Sequence, residues 1–216
     1  MDPNIIQKIT VYALPLIFAI TLHEAAHAFA ARYFGDSTAY MLGRMTLNPL
    51  KYIDPVWTIA VPLLTMFFSP FIFGAAKPVP INFNALRHPK RDMIWVAAAG
   101  PGANLFMLLL WGVIARIVIG LPDSEPVQFL AHMAEAGMYI NALLMVFNLF
   151  PLLPLDGGRI VTGLLPDRLA YSWSRLEPYG MFILVGLILS GILGRFMWPL
   201  VNISMKTVYS LFGLPF

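Results

Sequence analysis

A long apolar run near the N-terminus carries three ionisable residues in its middle, and this combination limits how the chain can fold. The run extends over about residues 9–33, and His23, Glu24 and His27 interrupt it. A charged side chain at the centre of a bilayer costs about 3 kcal/mol unless it faces a partner or a cavity. Because residues four apart share a helix face, His23 and His27 can present two imidazoles to one metal. Glu24 lies one step round the helix and can reach a water held there.

The composition extends the membrane interpretation to the whole chain. Of its 216 residues, 59% are hydrophobic and 12% are charged, and the mean hydropathy is +0.74. A soluble domain is about half apolar and about a quarter charged. We therefore expect an all-α polytopic membrane protein with a single domain over residues 1–216. Cysteine is absent, so a metal in this chain must be held by His, Asp or Glu.

Five segments are long enough to enter the bilayer, and a sixth is possible. A spanning helix needs about 20 residues, and prolines or polar residues interrupt several of the candidates. The last candidate either spans or lies in the membrane interface. The predicted segments lie at about 9–33, 56–73, 93–120, 133–155, 179–194 and 196–216.

The placement of charges predicts the orientation. The loop 121–135 has three acidic residues and no Lys or Arg, so we expect it outside the cell. The basic stretches 32–51, 77–91 and 159–175 are expected in the cytoplasm. Both flanks of segment 56–73 are basic, which favours a re-entrant segment over a crossing. The sequence thus predicts a multi-pass protein of the cell membrane with its ionisable cluster near the cytoplasmic side. Basic residues beside apolar runs indicate orientation, and we expect no nucleic-acid partner.

A third metal ligand is needed, because catalytic zinc usually takes three protein ligands and leaves one position for water. His88 lies in a basic loop and His132 near the predicted outer face, so both are poor candidates. Asp156 is a better one, because Pro151 and Pro154 end helical continuity just before it. Taken alone, Asp156 is also compatible with a simple Asp-Gly turn. The alternative for the histidines and Glu24 is a set of buried polar residues that bond to neighbouring helices.

These motifs resemble those of the site-2 protease family of intramembrane zinc metalloproteases. The specific matches are residues 23–27 (HEAAH) and 148–159 (NLFPLLPLDGGR), and the weaker ones are 100–104 (GPGAN) and 73–82. The chain is similar to the compact bacterial and archaeal members that lack a PDZ or CBS domain. The resemblance covers a catalytic core of about residues 9–165 and leaves the C-terminal membrane segments, about 176–216, unmatched.

The resemblance also implies a chemistry. It implies one zinc ion per chain, held by His23, His27 and Asp156, with Glu24 as general base and later as general acid. The implied substrates are transmembrane segments of other proteins, cut within or near the lipid bilayer. No position of the ligand or base motifs departs from the family pattern.

Two asparagines have two interpretations each. Asn148 precedes Asp156 by two helical turns, so its amide can stabilise the oxyanion that develops during hydrolysis or can form an interhelical hydrogen bond. Asn104 has the same ambiguity, between contact with the substrate and an interhelical hydrogen bond.

The stretch 77–82 is predicted to be extended, within a short extended or re-entrant element near 56–82. Pro78 and Pro80 forbid a helix there. An extended edge at Lys77, Pro78 and Val79 can hold an unwound substrate segment by strand addition. The alternative is a rigid proline-rich connector.

Two other functions use the same residues. One is a membrane transporter or sensor of divalent metal ions, although the paired repeats typical of transporters are not seen in the sequence. The other is a protein that binds membrane segments without cutting them, which the intact base and ligand motifs argue against. The sequence favours a zinc-dependent intramembrane endopeptidase.

Overall fold

The computed structural model describes residues 3–56 and 77–215, and for residues 3–9 it describes the backbone alone. This part of the chain is helical and contains no β-strand. Short 3₁₀ turns occur at Pro49–Lys51 and Phe83–Ala85. The α-helices of the described residues are α1 (Pro3–Tyr33), α2 (Thr38–Met41), α3 (Pro89–Ile119), α4 (Glu125–Asn148), α5 (Asp156–Leu164), α6 (Asp167–Ser174), α7 (Glu177–Leu189) and α8 (Ile192–Phe212).

Three of these helices are long and apolar enough to cross a membrane, namely α1 from Thr10 onward, α3 and α4. Helices α7 and α8 pass the same test only together, and they meet at an angle of 78°. If this pair is one broken span, the described residues contain four candidate spans. The predicted all-α multi-pass membrane architecture is confirmed, and the described residues contain fewer candidate spans than the five to six predicted for the whole chain. The predicted re-entrant segment lies, from residue 57 onward, outside the described residues.

The fourth predicted segment has different bounds from those expected. Helix α4 begins at Glu125, with proline in its first turn, well before the predicted start at residue 133. It ends at Asn148, and residues 149–155 form turns, because Pro151 and Pro154 cannot continue the helix. Asp156 begins the separate helix α5. Asn148 and Asp156 are therefore not two turns apart on one helix, as the sequence interpretation assumed.

Helix α3 is the centre of the fold and packs against α1, α4 and α5. In its N-terminal half, the small side chains of Val96 and Ala97 are buried. Its later half joins α4 and α8 in the main apolar cluster through Leu108, Trp111 and Val201. Because lipid provides no hydrophobic drive between helices, such close packing of small and apolar faces holds the bundle together. The arrangement places α1 and the start of α5 on the same part of α3.

A smaller cluster lies beside α1 and holds the two irregular stretches, residues 44–52 and 77–82. Val79 packs there with Ala28, Ala39 and Tyr52, all of which are buried. The phenol of Tyr52 shares its single O–H proton between the carbonyl oxygens of Arg44 (3.1 Å) and Thr46 (2.6 Å). Burial raises the pKa of this phenol above its ordinary value, so it remains a donor at neutral pH. The cluster fixes the backbone at Val79 against the helix that carries the ionisable residues.

Candidate active site

His23, His27 and Asp156 converge where α1 meets the start of α5. The Nε2 atoms of His23 and His27 are 3.1 Å apart, and each lies 3.3 Å from Oδ2 of Asp156. Both histidines are buried, and the Asp156 side chain is only 14% exposed. These residues form the group in the described chain that can hold a metal ion.

The hydrogen bonds at the far side of each ring determine which nitrogen carries the proton. Nδ1 of His27 lies 2.7 Å from the carbonyl oxygen of Val96, which can only accept, so Nδ1 donates. Nδ1 of His23 lies 2.7 Å from Oδ1 of Asn104. The Asn104 amide nitrogen donates to the carbonyl of Ala19 (3.3 Å) and to Oδ1 of Asn141 (3.0 Å). Oδ1 of Asn104 is therefore the atom that faces His23, and Nδ1 of His23 donates as well.

In the neutral form of each ring the Nδ1 proton is the only one, and three electron pairs then point at one another. The two Nε2 lone pairs face Oδ2 of Asp156, which is buried and has no hydrogen-bond partner in the described residues. Three acceptors at 3.1–3.3 Å repel one another unless a cation lies among them. Ligand atoms about 2.1 Å from a tetrahedral zinc lie about 3.4 Å from one another. The donor set and its spacing therefore fit zinc.

Gly100 of α3 leaves room for the two rings. A Cβ atom added at this position would lie 2.6 Å from Cε1 of both His23 and His27, and closer still to Nε2 of His27. Any larger residue would therefore displace the imidazoles. In the sequence Gly100 belongs only to the weaker motif of residues 100–104, because its contact with both histidines requires the tertiary structure.

The turn before α5 positions Asp156. Glycines 157 and 158 approach so closely that an added Cβ would collide with the backbone at Leu149 and Leu152. An added Cβ at Gly180 of α7 would collide with the carbonyl of Leu153. The carboxylate stands in the first turn of α5, where the helix dipole favours negative charge.

Glu24 is half-buried, one residue along from His23. Its Oε2 accepts a hydrogen bond of 2.8 Å from the backbone N–H of Val79. The predicted extended stretch thus meets the predicted base, a contact that the sequence did not indicate. Residues 77–82 form no β-strand in the described structure.

Arg44 joins the same region and is a residue that the sequence analysis missed. Its Nη2 donates to the carbonyl oxygens of Lys77 (3.0 Å) and Pro78 (3.3 Å). The N–H of Lys77 donates to the carbonyl of Tyr52 at 2.9 Å. In sequence Arg44 appeared only as one of several basic residues that mark the cytoplasmic side, and no local signal separated it from them.

The remaining candidates have other contacts. Asn104 is fully buried and makes the interhelical hydrogen bonds described above, the second of the two roles that the sequence left open. The Asn148 amide donates to the carbonyl of Leu144 in its own helix, at 2.9 Å. His88 and His132 are exposed, in agreement with their exclusion as ligands.

The comparisons with known proteins agree with this geometry. The model of peptidase family M50 matches residues 112–190, a stretch that includes Asp156. The Bacillus subtilis protein "Putative zinc metalloprotease YwhC" is 32% identical over 210 residues, which cover 94% of this chain and 91% of that protein.

Two mycobacterial proteins, both named "Putative zinc metalloprotease Rip2", are also similar. The one from Mycolicibacterium smegmatis is 30% identical over 190 residues, covering 86% of this chain and 69% of that protein. The one from Mycobacterium tuberculosis H37Rv is 28% identical over 174 residues, covering 80% and 62%. No solved structure matches the chain. The resemblance to site-2 proteases seen in the sequence is thereby confirmed, and the chain belongs to peptidase family M50.

Proposed function

We propose that this chain is a zinc-dependent intramembrane endopeptidase that hydrolyses peptide bonds in or near transmembrane segments of substrate proteins. The observation that carries the proposal is the meeting of three potential ligand atoms, from His23, His27 and Asp156, with the carboxylate of the residue that follows His23 on the same helix. The relatives' names and the family agree with this activity.

The three ligands would hold one zinc ion and leave a position for water or substrate. When bound, zinc acts as a Lewis acid that makes water more acidic and polarises a carbonyl group. The protein contributes the rest. Asn104 and the Val96 carbonyl keep the protons of His23 and His27 on Nδ1, so that both Nε2 atoms are free to bind the ion.

Glu24 is the general base. Its carboxylate removes a proton from the attacking water and then delivers it to the leaving amine, so that the residue ends in its starting state. Oε2 is engaged with the Val79 N–H, which leaves Oε1 as the oxygen without that hydrogen bond. A carboxylate that is already held in position lowers the part of the activation free energy that its orientation would otherwise require.

The substrate is a membrane-spanning segment that has unwound near its scissile bond. The extended stretch at Lys77, Pro78 and Val79 would lie along it, and Asn148 would assist at the developing oxyanion if its amide turned from the Leu144 carbonyl. The cell membrane is the expected location, with the site nearer the cytoplasm. Residues 1–216 act as a single protease domain.

The test compares wild type with Glu24→Gln, both purified in detergent. Zinc content is measured by elemental analysis, and cleavage is measured on a library of membrane segments. We expect about one zinc ion per chain in both proteins and cutting by wild type alone, with a loss of about 10²–10⁴-fold in the variant. Wild type that binds zinc but cuts nothing would favour a transporter, sensor or binding protein instead.

A further inference from the structure

The carboxylate of Glu24 is held by residues 78–80, which have a single backbone N–H donor because two of them are prolines. Within residues 78–80, prolines occupy both outer positions, so Val79 supplies the single backbone N–H of that stretch. This N–H is the one that donates to Oε2 of Glu24. The Val79 side chain is 7% exposed and packs on Ala28 of α1, four residues beyond Glu24. Where the backbone of Val79 lies therefore decides how the Glu24 carboxylate is oriented.

Arg44 fixes that backbone from the other side. Its guanidinium donates to the carbonyls of Lys77 and Pro78, the two residues directly before Val79. Its own carbonyl accepts from the Tyr52 hydroxyl, and the Tyr52 carbonyl accepts from the Lys77 N–H. The guanidinium carbon also lies 5.6 Å from the centre of the Tyr52 ring. Arg44, Tyr52 and Lys77 thus form a closed set of contacts.

We propose that Arg44 is a positioning residue for Glu24, acting through residues 77 and 78 to keep the Val79 N–H aimed at the carboxylate. The inference rests on the proposed function, in which Glu24 is the general base. Arg44 does not contact the substrate or the metal ligands in this role. Both carbonyl oxygens accept from one guanidinium nitrogen, Nη2, which lies one bond farther from Cα than the ammonium nitrogen of a lysine would.

The effect belongs to the catalytic step. General-base catalysis contributes about 10²–10⁴-fold, and a misplacement of about 1 Å can cost about 10²-fold. We expect Arg44→Ala to lower kcat by about 10–100-fold, with KM within about twofold of wild type and zinc content unchanged. The kcat of Arg44→Lys, which keeps the charge and can reach one carbonyl, is expected to lie between those of wild type and Arg44→Ala.

Arg32→Ala is the matched control. Arg32 belongs to the same basic stretch, is exposed, and lies over the Tyr40 ring at 3.5 Å. Its replacement removes the same charge from the same side of the protein. We expect its kcat, KM and zinc content to match wild type.

A second variant tests the route of the effect. Val79→Pro removes the N–H while keeping an extended backbone, and it is expected to lower kcat by a similar factor. If Arg44 acts through this N–H, then adding Arg44→Ala to Val79→Pro slows cleavage no further. Losses that multiply in the double variant would overturn the proposal.

Three other results would also overturn it. They are an unchanged kcat in Arg44→Ala, a raised KM at unchanged kcat, which would assign the loop to substrate binding, and a loss of zinc, which would indicate a structural role. Wild type that does not cut would overturn the proposed function and this inference with it. Wild type that cuts beside an equally fast Arg44→Ala variant would overturn the inference alone.

Discussion

Gly100 offers a test of the metal site from a helix that supplies no ligand. In Gly100→Ala the new Cβ would stand 2.6 Å from Cε1 of both His23 and His27, whereas ordinary contacts begin at 3.4 Å. The His23 ring must then move by about 0.8 Å, the difference between these two distances, and the His27 ring by more, because its Nε2 lies closer still to the added Cβ. The distances between zinc and its ligand atoms deviate by no more than about 0.2 Å from their usual values. Outer-shell changes alone lower metal affinity by about 10–100-fold, so displacing the ligands themselves should lower it by more than about 100-fold.

The control lies two residues away on the same helix. A Cβ at Gly102 meets nothing within 4 Å in the described structure, so Gly102→Ala removes the same backbone freedom without the collision. Alanine at such a helical position stabilises by about 0.5–1 kcal/mol. We would titrate both variants with zinc against a chromogenic chelator and follow their helical content by circular dichroism. A Gly100→Ala protein that is folded and binds zinc as tightly as wild type would refute the account of the site.

Two further predictions concern the supports of the ligands. Asn104→Ala leaves Nδ1 of His23 without its acceptor, so zinc affinity should fall by about 10–100-fold in the same titration; unchanged affinity would contradict the orienting role. Gly180→Ala should lower both the unfolding temperature and zinc affinity, because its Cβ collides with the Leu153 carbonyl before Asp156. Gly186→Ala, with nothing within 4 Å in the described structure, should change neither, and equal effects of the two would argue against this contact.

The ligand motifs could be predicted because their chemistry is local or strongly constrained. His23, Glu24 and His27 follow one helix, so their spacing alone brings two imidazoles and a carboxylate together. Asp156 lies far along the chain, and it was predicted because the two other histidines were poor candidates and because Pro151 and Pro154 end helical continuity just before it. The structure brings it within 3.3 Å of both rings. Its role as a ligand stays a proposal.

The residues that support the ligands could not be predicted in the same way. Asn104 and Gly100 act on His23 and His27 across an interhelical contact, and no periodicity in the sequence states which helices touch. Arg44 is one of several similar basic residues, and its contacts depend on a loop placed by Tyr52 packing. The predicted end of the fourth segment was wrong for a related reason. The segment was predicted to end at residue 155, after Pro151 and Pro154, but the turns that these prolines impose begin at residue 149.

The spacing of prolines in residues 77–80 has a consequence for any peptide that lies beside it. Two of these four positions lack an amide hydrogen, and the other two amides are occupied by Tyr52 and Glu24. A peptide beside this stretch meets carbonyl oxygens, of which those of Lys77 and Pro78 already accept from Arg44, and it must supply the N–H donor of every further hydrogen bond. A proline in that peptide has no N–H to donate. Because this stretch offers no free backbone donor of its own, it discriminates against peptides that contain proline.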